Sequence, residues 1–233
     1  MTKSWGEEIW EKKIKSQDEI GVIHGTNSSI ERIKNQTNEI MVFLDKKFLN
    51  YTKKGGSLLD IGVGPMARFA IEFSKRGYKV TGMDISKTTL GYASKYIAKS
   101  GEKINLFRGD LLISKNFDKK FDIIFCIETF FHIPKHLSLI ALRNFNKGLN
   151  RKGYIIIQVS IEKELNPKDI LFNFLYSVGH KIKKFFRKGF YVNVSRYRED
   201  ELNDLINRTG FKIIKRRGEL LLLKKFVELN KDK

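Results

Sequence analysis

The sequence predicts an α/β fold: a doubly wound sheet of seven strands, mostly parallel with an antiparallel last strand, and helices on both faces. Three observations predict it. From Ser57 onward, short apolar runs alternate with segments of helical periodicity, the pattern of a parallel sheet whose crossovers are helices. The first run, Ser57-Leu58-Leu59-Asp60-Ile61, passes straight into Gly62-Val63-Gly64-Pro65, a tight turn that glycine backbone favours. The last two runs are separated only by Gly218, which leaves no room for a crossover, so that pair is antiparallel.

The elements follow in order. Residues 1–50 read as helices forming a cap, because Ile9, Trp10 and Ile14, then Ile40, Phe43, Leu44 and Phe48, recur at helical spacing. Residues 20–29, holding Gly21, Gly25, Thr26, Asn27 and Ser28, read as a loop between them. Residues 51–160 form the core, with strands near 57–61, 79–84, 104–108, 122–127 and 154–160 and helices near 65–76, 87–100 and 135–148. Residues 161–196 are an insertion, and 197–233 return to complete the core with a helix and strands near 211–217 and 219–226. A chain of 233 residues, 41% hydrophobic, is long and apolar enough for one such domain with additions.

Three of the strands deliver a carboxylate at their carboxyl ends, the edge where open α/β sheets bind ligands. These are Asp60, Asp84 closing Lys79-Val80-Thr81-Gly82-Met83-Asp84, and Asp110 after Ile104-Asn105-Leu106-Phe107-Arg108-Gly109. Gly62 to Ala67 also fits the dinucleotide fingerprint G-x-G-x-x-G/A, with Asp84 at about the spacing of a ribose-binding acid. The glycines alone therefore leave NAD and S-adenosylmethionine both open. Asp60 separates them. A pyrophosphate over this turn would meet like charge two residues before the first glycine, whereas an ammonium and a sulfonium would meet a partner. Read as structure only, Asp60 is a capping or turn acid and Asp110 a turn acid before Leu111.

On these residues the chain resembles the class I S-adenosylmethionine-dependent methyltransferases, in particular the small-molecule branch that acts on ubiquinone and menaquinone precursors. Leu58-Leu59-Asp60-Ile61-Gly62-Val63-Gly64 is similar to that family's first motif, Asp84 to its ribose-binding acid, and Gly109-Asp110-Leu111 to its adenine-binding motif. Phe121 to Glu128 resembles the fourth strand and Phe131-His132-Ile133-Pro134 the turn after it. Leu149-Asn150-Arg151-Lys152-Gly153 resembles the turn into the fifth strand. Tyr197-Arg198-Glu199-Asp200-Glu201-Leu202 through Thr209-Gly210-Phe211 resembles the late helix and sixth strand. Met66 departs from the pattern where many members carry a third glycine.

The resemblance implies a Rossmann-like core with S-adenosylmethionine as cofactor. It implies that Asp60 and the backbone of Gly62 and Gly64 hold the methionine end. Asp84 would take the ribose hydroxyls with Ile85 against adenine, and Asp110 with the Leu111 amide would read the adenine edge. The Cys126 backbone and Glu128 would border the amino group and the transferred methyl. It also implies that the N-terminal segment caps the pocket, so that Trp10 and His24 are either ligand contacts or a core aromatic and a loop histidine.

His132 stands just after the fourth strand and is the candidate general base, or else a histidine that only hydrogen-bonds its turn. With His136 it forms an H-x3-H pair, but Pro134 interrupts the pair and no third ligand is near in sequence, so no metal is expected. Cys126, the single cysteine, excludes an intrachain disulfide and reads as a buried core thiol.

Forty-five basic against 26 acidic residues give a net charge of +19, a field that favours anionic partners unless the lysines are simply solvated. Within the insertion, Ile170, Leu171, Phe174, Leu175, Val178, Ile182, Phe185 and Phe186 share a helical face, and residues 181–198 hold seven basic residues and no acid. This basic amphipathic segment reads as a lid over the acceptor, a contact with an anionic membrane through 170–198, or a nucleic-acid grip. No signal-peptide core and no run of transmembrane length occurs, so a cytoplasmic protein, peripheral at most to the inner membrane surface, is expected. The expected function is methyl transfer to a small-molecule or lipid-like acceptor. RNA methylation, and RNA or anionic-surface binding with a vestigial pocket, are the alternatives.

Overall fold

The computed structural model describes residues 5–16, 29–162 and 194–226. Two helices, α1 (Trp5–Ser16) and α2 (Ile30–Lys47), precede the sheet. Then follow β1 (Ser57–Ile61), α3 (Arg68–Lys75), β2 (Lys79–Asp84), α4 (Lys87–Ser100), β3 (Asn105–Arg108) and β4 (Phe121–Cys126). After them come α5 (Ser138–Gly148), β5 (Leu149–Gln158), β6 (Ser160–Ile161), β7 (Arg196–Tyr197), α6 (Glu199–Arg208), β8 (Phe211–Arg217) and β9 (Leu220–Lys225). The seven-stranded sheet has the order β3-β2-β1-β4-β5-β9-β8. All its pairs are parallel except those of β9, which lies antiparallel between β5 and β8.

The strand order reverses between β1 and β4, so a crevice opens over the carboxyl ends of those two strands. Both faces of the sheet are covered, and side chains alternate strictly between them. Leu59, Ile61, Ile124, Cys126, Ile155 and Ile157 pack toward α5 and α6 with Phe130, Phe145 and Tyr197. Leu58, Ile123, Phe125 and Ile156 pack toward α2 and α3 with Met41, Leu44 and Phe73. The Phe125 ring meets Phe69 and Phe73 with centroids 5.1 and 4.9 Å apart. This alternation puts Asp60 on the face of Leu58, turned toward α3.

Several boundaries differ from expectation for local reasons. α3 starts at Arg68 rather than residue 65, because Gly64 and Ala67 both adopt left-handed backbone, with φ of 68° and 46°. The helix expected over 135–148 opens with a 3-10 turn, Lys135–Leu137, before α5. The turn expected at Leu149 to Gly153 is instead an irregular start to β5: Phe121 pairs with Leu149 but Ile123 with Tyr154. The short parallel pair β6–β7, at the two ends of the insertion, had no signal in the sequence. The loop expected over 20–29 lies outside the described residues apart from Ser29, which caps α2 by accepting a hydrogen bond from the Arg32 amide at 3.2 Å. The basic amphipathic segment read over 170–198 also falls outside them as far as residue 193, and its described end, 194–198, holds β7. Among the described residues no helix is long and apolar enough to cross a membrane.

The amino edge of the sheet is stitched by Asp122. Its carboxylate accepts from the Ser57 amide at 2.8 Å, the Ser57 hydroxyl at 3.0 Å and the Asn150 amide at 2.8 Å, linking β1, β4 and β5. Burial pushes its pKa up, but these hydrogen bonds outweigh burial and hold it below the ordinary 3.8. A depressed folded-state pKa contributes stability that is present above the ordinary value and lost as pH falls through the folded value. Asp122→Ala is therefore expected to lower unfolding stability by about 1–3 kcal/mol at neutral pH, since it strands three donors. Urea melts should show the gap to wild type closing as the solution is acidified below the ordinary carboxylate range.

Candidate active site

The site is built where β1, β2 and β4 end. Asp60 pairs in register with Gly82 of β2 and Phe125 of β4, so its carboxyl group sits in the middle of the sheet. It is 2% exposed, and its Oδ2 accepts no hydrogen bond. Burial pushes its pKa up to about 7, the negative charge of Asp84 adds to the rise, and Arg68 opposes it. A buried, unsatisfied carboxylate oxygen is costly in a stable fold. It fits a site that receives a cationic group, such as the ammonium of S-adenosylmethionine.

The turn after β1 faces away from anions. The amides of Gly62 and Val63 both donate to the Met83 carbonyl, at 2.8 and 3.1 Å, and the Gly64 amide donates to Asp84 Oδ2 at 3.2 Å. A pyrophosphate nest needs such amides pointing outward, so this turn does not offer one. Asp84 Oδ1 accepts from the Ser86 amide at 3.0 Å, which fastens the turn to the start of α4. Burial raises the pKa of Asp84 to about 6 although the surrounding amides lower it. Each of its oxygens keeps acceptor capacity for a hydroxyl.

The two glycines differ in what surrounds them. Gly64, at φ 68°, has open space where a Cβ would stand, its nearest neighbour there being the Gly62 carbonyl at 3.9 Å. Gly62, at φ 72°, would place a Cβ 2.1 Å from Thr129 Oγ1. The space on the Cβ side of Gly62 is thus filled by the loop after β4, while that of Gly64 is open.

Asp110 is buried, and its Oδ1 accepts from the Leu112 amide at 2.8 Å while its carbonyl accepts from Asn116 at 2.8 Å. It thus shapes the turn after β3 at the same sheet edge. The Leu111 side chain belongs to the core on the α5 side. Ile85 lies under α1, where a Cβ on Gly6 would come within 3.3 Å of its Cδ1. Cys126 is fully buried, and burial together with the nearby Asp60 charge pushes its thiol up, so it is no thiolate nucleophile.

Helix α1 crosses this edge. Glu7 pairs with Arg108 at the end of β3, whose Nε donates to the Ile85 carbonyl at 3.1 Å. Glu11 accepts from the Ser86 hydroxyl at 3.0 Å and from the Thr88 amide and hydroxyl at 3.1 and 2.7 Å. Burial raises the Glu11 pKa, but those bonds prevail and lower it. The Trp10 ring meets His132 edge-on with centroids 5.2 Å apart, and Phe131 meets the same imidazole at 4.5 Å. Trp10 is thus part of the wall beside the candidate base, while His24 lies outside the described residues. His132 ends a 3-10 turn, Phe130–His132, and its amide donates to the Thr129 carbonyl at 3.0 Å.

Glu128 adopts left-handed backbone with φ 58°, and its amide donates to Gln158 Oε1 at 3.2 Å. Its carboxylate forms an ion pair with Arg68 Nη2. Arg68 was absent from the sequence reading, as were Gln36, Thr37, Thr129 and Gln158. One signal was available for Arg68: a cation at the first position of a helix opposes the helix dipole and asks for a nearby anion. The other four are polar residues whose relevance depends on contacts across 30 to 67 positions of chain, visible only in the folded protein.

Comparison with known proteins places this geometry in context. Residues 33–216 match the model of a family described as methyltransferase domain. The ubiquinone biosynthesis O-methyltransferase of Rickettsia prowazekii is 24% identical over 217 residues, covering 80% of this chain and 79% of that protein. The crystal structure of magnesium protoporphyrin IX methyltransferase from Synechocystis PCC 6803 with bound SAM superposes with a TM-score of 0.64 at 15% identity, over 94% of this chain and 96% of that one. The [4+2]-cyclase SpnF shares the fold too, with a TM-score of 0.61 at 13% identity over 87% and 84% of the two chains.

Two outcomes are expected from this geometry. Gly62→Ala forces left-handed backbone on alanine and drives Thr129 away, and should cost at least about 1–3 kcal/mol in a denaturant melt. Because the folded-state pKa of Asp60 is raised from 3.8 to about 7, its ionisation opposes folding increasingly as pH climbs between those values. Asp60→Asn should therefore raise the thermal midpoint of the protein without cofactor at about pH 8, with a smaller gain at about pH 5. A midpoint that falls at the higher pH would contradict the buried-charge account.

Proposed function

The chain belongs to the methyltransferase-domain family and is an S-adenosylmethionine-dependent enzyme, and we propose that it methylates a hydroxyl-bearing small molecule bound beside the carboxyl ends of β4 and β5. The observation that carries the reading is Asp60, a buried carboxylate with an unpartnered oxygen at the strand crossover. When bound, S-adenosylmethionine supplies an activated methyl carbon that an acceptor atom displaces in line.

The residues of the chain hold and orient. Asp60 would take the ammonium, and its charge, disfavoured in isolation, becomes favourable once paired. The Gly64 backbone leaves room beside it, and the Gly62 turn holds its position through Met83. Asp84 would accept from the ribose hydroxyls with Ile85 covering the adenine. Asp110 and the Leu111 amide would meet the adenine edge, and the Cys126 backbone and Glu128 would border the amino end. Helix α1 covers the edge from Ile85 to His132 and excludes water there, which favours a displacement in which charge is neutralised.

The half-buried ring set Trp10, Phe131 and His132 supports a planar or lipid-like acceptor, whose hydroxyl proton His132 would remove. The relatives named ubiquinone biosynthesis O-methyltransferase, in Rickettsia prowazekii and Rickettsia typhi, support an oxygen acceptor.

Calorimetric titration with S-adenosylmethionine across pH tests the cofactor half. Affinity should rise as pH climbs through about 7, and binding below that pH should release a proton from Asp60; Asp60→Asn should weaken binding and flatten the pH dependence. Methyl transfer to hydroxylated aromatic acceptors tests the other half. His132→Ala should lower kcat by about 10²–10⁴-fold with the cofactor Kd unchanged. An unaltered kcat would remove His132 from the role of base.

A further inference from the structure

We infer that Arg68 is a positioning residue of the cofactor site, and that Glu128 serves to neutralise its guanidinium so that a cationic cofactor can bind beside it. The inference rests on the S-adenosylmethionine reading above. A site for an ammonium and a sulfonium is an unfavourable place for an arginine, yet Arg68 stands at the start of α3 with its side chain only 10% exposed, and its charge acts on Asp60. The macrodipole of α3 adds to the mismatch, since a helix N-terminus repels cations.

The surroundings of Arg68 remove that conflict. Nη1 donates to Gln36 Oε1 and Thr37 Oγ1 of α2, both at 3.1 Å, and the guanidinium lies 4.4 Å from the Phe69 ring centroid. Nη2 is held by the Glu128 carboxylate. Glu128 reaches it from a left-handed backbone conformation, φ 58°, that a non-glycine residue rarely adopts and that the Gln158 contact helps to hold. Asp60 Oδ2 meanwhile keeps no hydrogen bond. The fork of Arg68 therefore points its charge at Glu128, and the charge of Asp60 is left for the ligand. The same four contacts tie the cap helix α2, the start of α3 and the exit of β4 into one unit around the crevice.

Charge compensation has a signature that plain structural support lacks. Removing Glu128 alone leaves an uncompensated cation facing a cationic ligand, and removing both partners takes that repulsion away. The experiment is calorimetric titration of S-adenosylmethionine and S-adenosylhomocysteine into wild type, Glu128→Gln, Arg68→Met/Glu128→Gln and Arg68→Lys/Glu128→Gln, with thermal melts to confirm folding. Glu128→Gln should weaken S-adenosylmethionine binding about tenfold or more, and should weaken S-adenosylhomocysteine, which lacks the sulfonium charge, by less. The methionine double variant should recover most of the lost affinity, whereas the lysine double variant, which keeps the cation, should not. A methionine double variant that binds no better than Glu128→Gln overturns the inference while leaving the cofactor reading intact. Wild type that binds neither ligand overturns the cofactor reading and this inference with it. If the methionine variant fails to fold, the lysine double variant decides: affinity equal to wild type would overturn the compensation account.

Discussion

A carboxylate buried at the end of the central strand, with one oxygen left without a hydrogen bond, is the constraint around which this molecule is arranged. β1 lies between β2 and β4, so Asp60 cannot turn to solvent without leaving the sheet. Burial of such a group is unfavourable in proportion to its charge, and the protein meets this by raising the pKa to about 7 rather than by supplying a full set of donors. The unfavourable energy becomes a binding resource, because any cation that reaches Oδ2 relieves it. Stability is thereby exchanged for affinity at one position, as functional sites commonly do.

The rest of the crevice keeps that carboxylate available. The amides of the Gly62 turn are fixed to Met83 and Asp84, so they neither satisfy Asp60 nor attract an anion. Thr129 fills the space beside Gly62 and locks the β4 exit against the β1 turn. Arg68 is held aside by Glu128, Gln36 and Thr37. Helix α1 then closes the edge through Glu7, Trp10 and Glu11, whose partners lie at the end of β3, after β4 and at the start of α4. Each contact joins elements far apart in sequence, so the pocket forms only once the sheet and both cap helices are assembled.

The fold alone does not assign the chemistry, since a [4+2]-cyclase carries the same arrangement. The family match over 33–216 assigns a methyltransferase domain, and acids stand at the ends of β1 and β2 with the amides of the turn directed inward.

The sequence by itself determined the strands and crossover helices of the parallel half, the terminal hairpin at Gly218 and the three acids, because these arise from local periodicity and from residues at strand ends. Asp60 was legible as a site residue for the same reason: its place in an apolar run signals a buried charge before any contact is known. Tertiary structure decided the rest. It assigned the space beside Gly62 to Thr129, brought Trp10 onto His132 and made Arg68 the partner of Glu128. Those outcomes depend on side chains meeting across strand crossovers, where sequence separation carries no information about distance. A lone arginine at a helix start, or a glutamate after a strand, has many surface explanations until packing puts the two together and removes them from water.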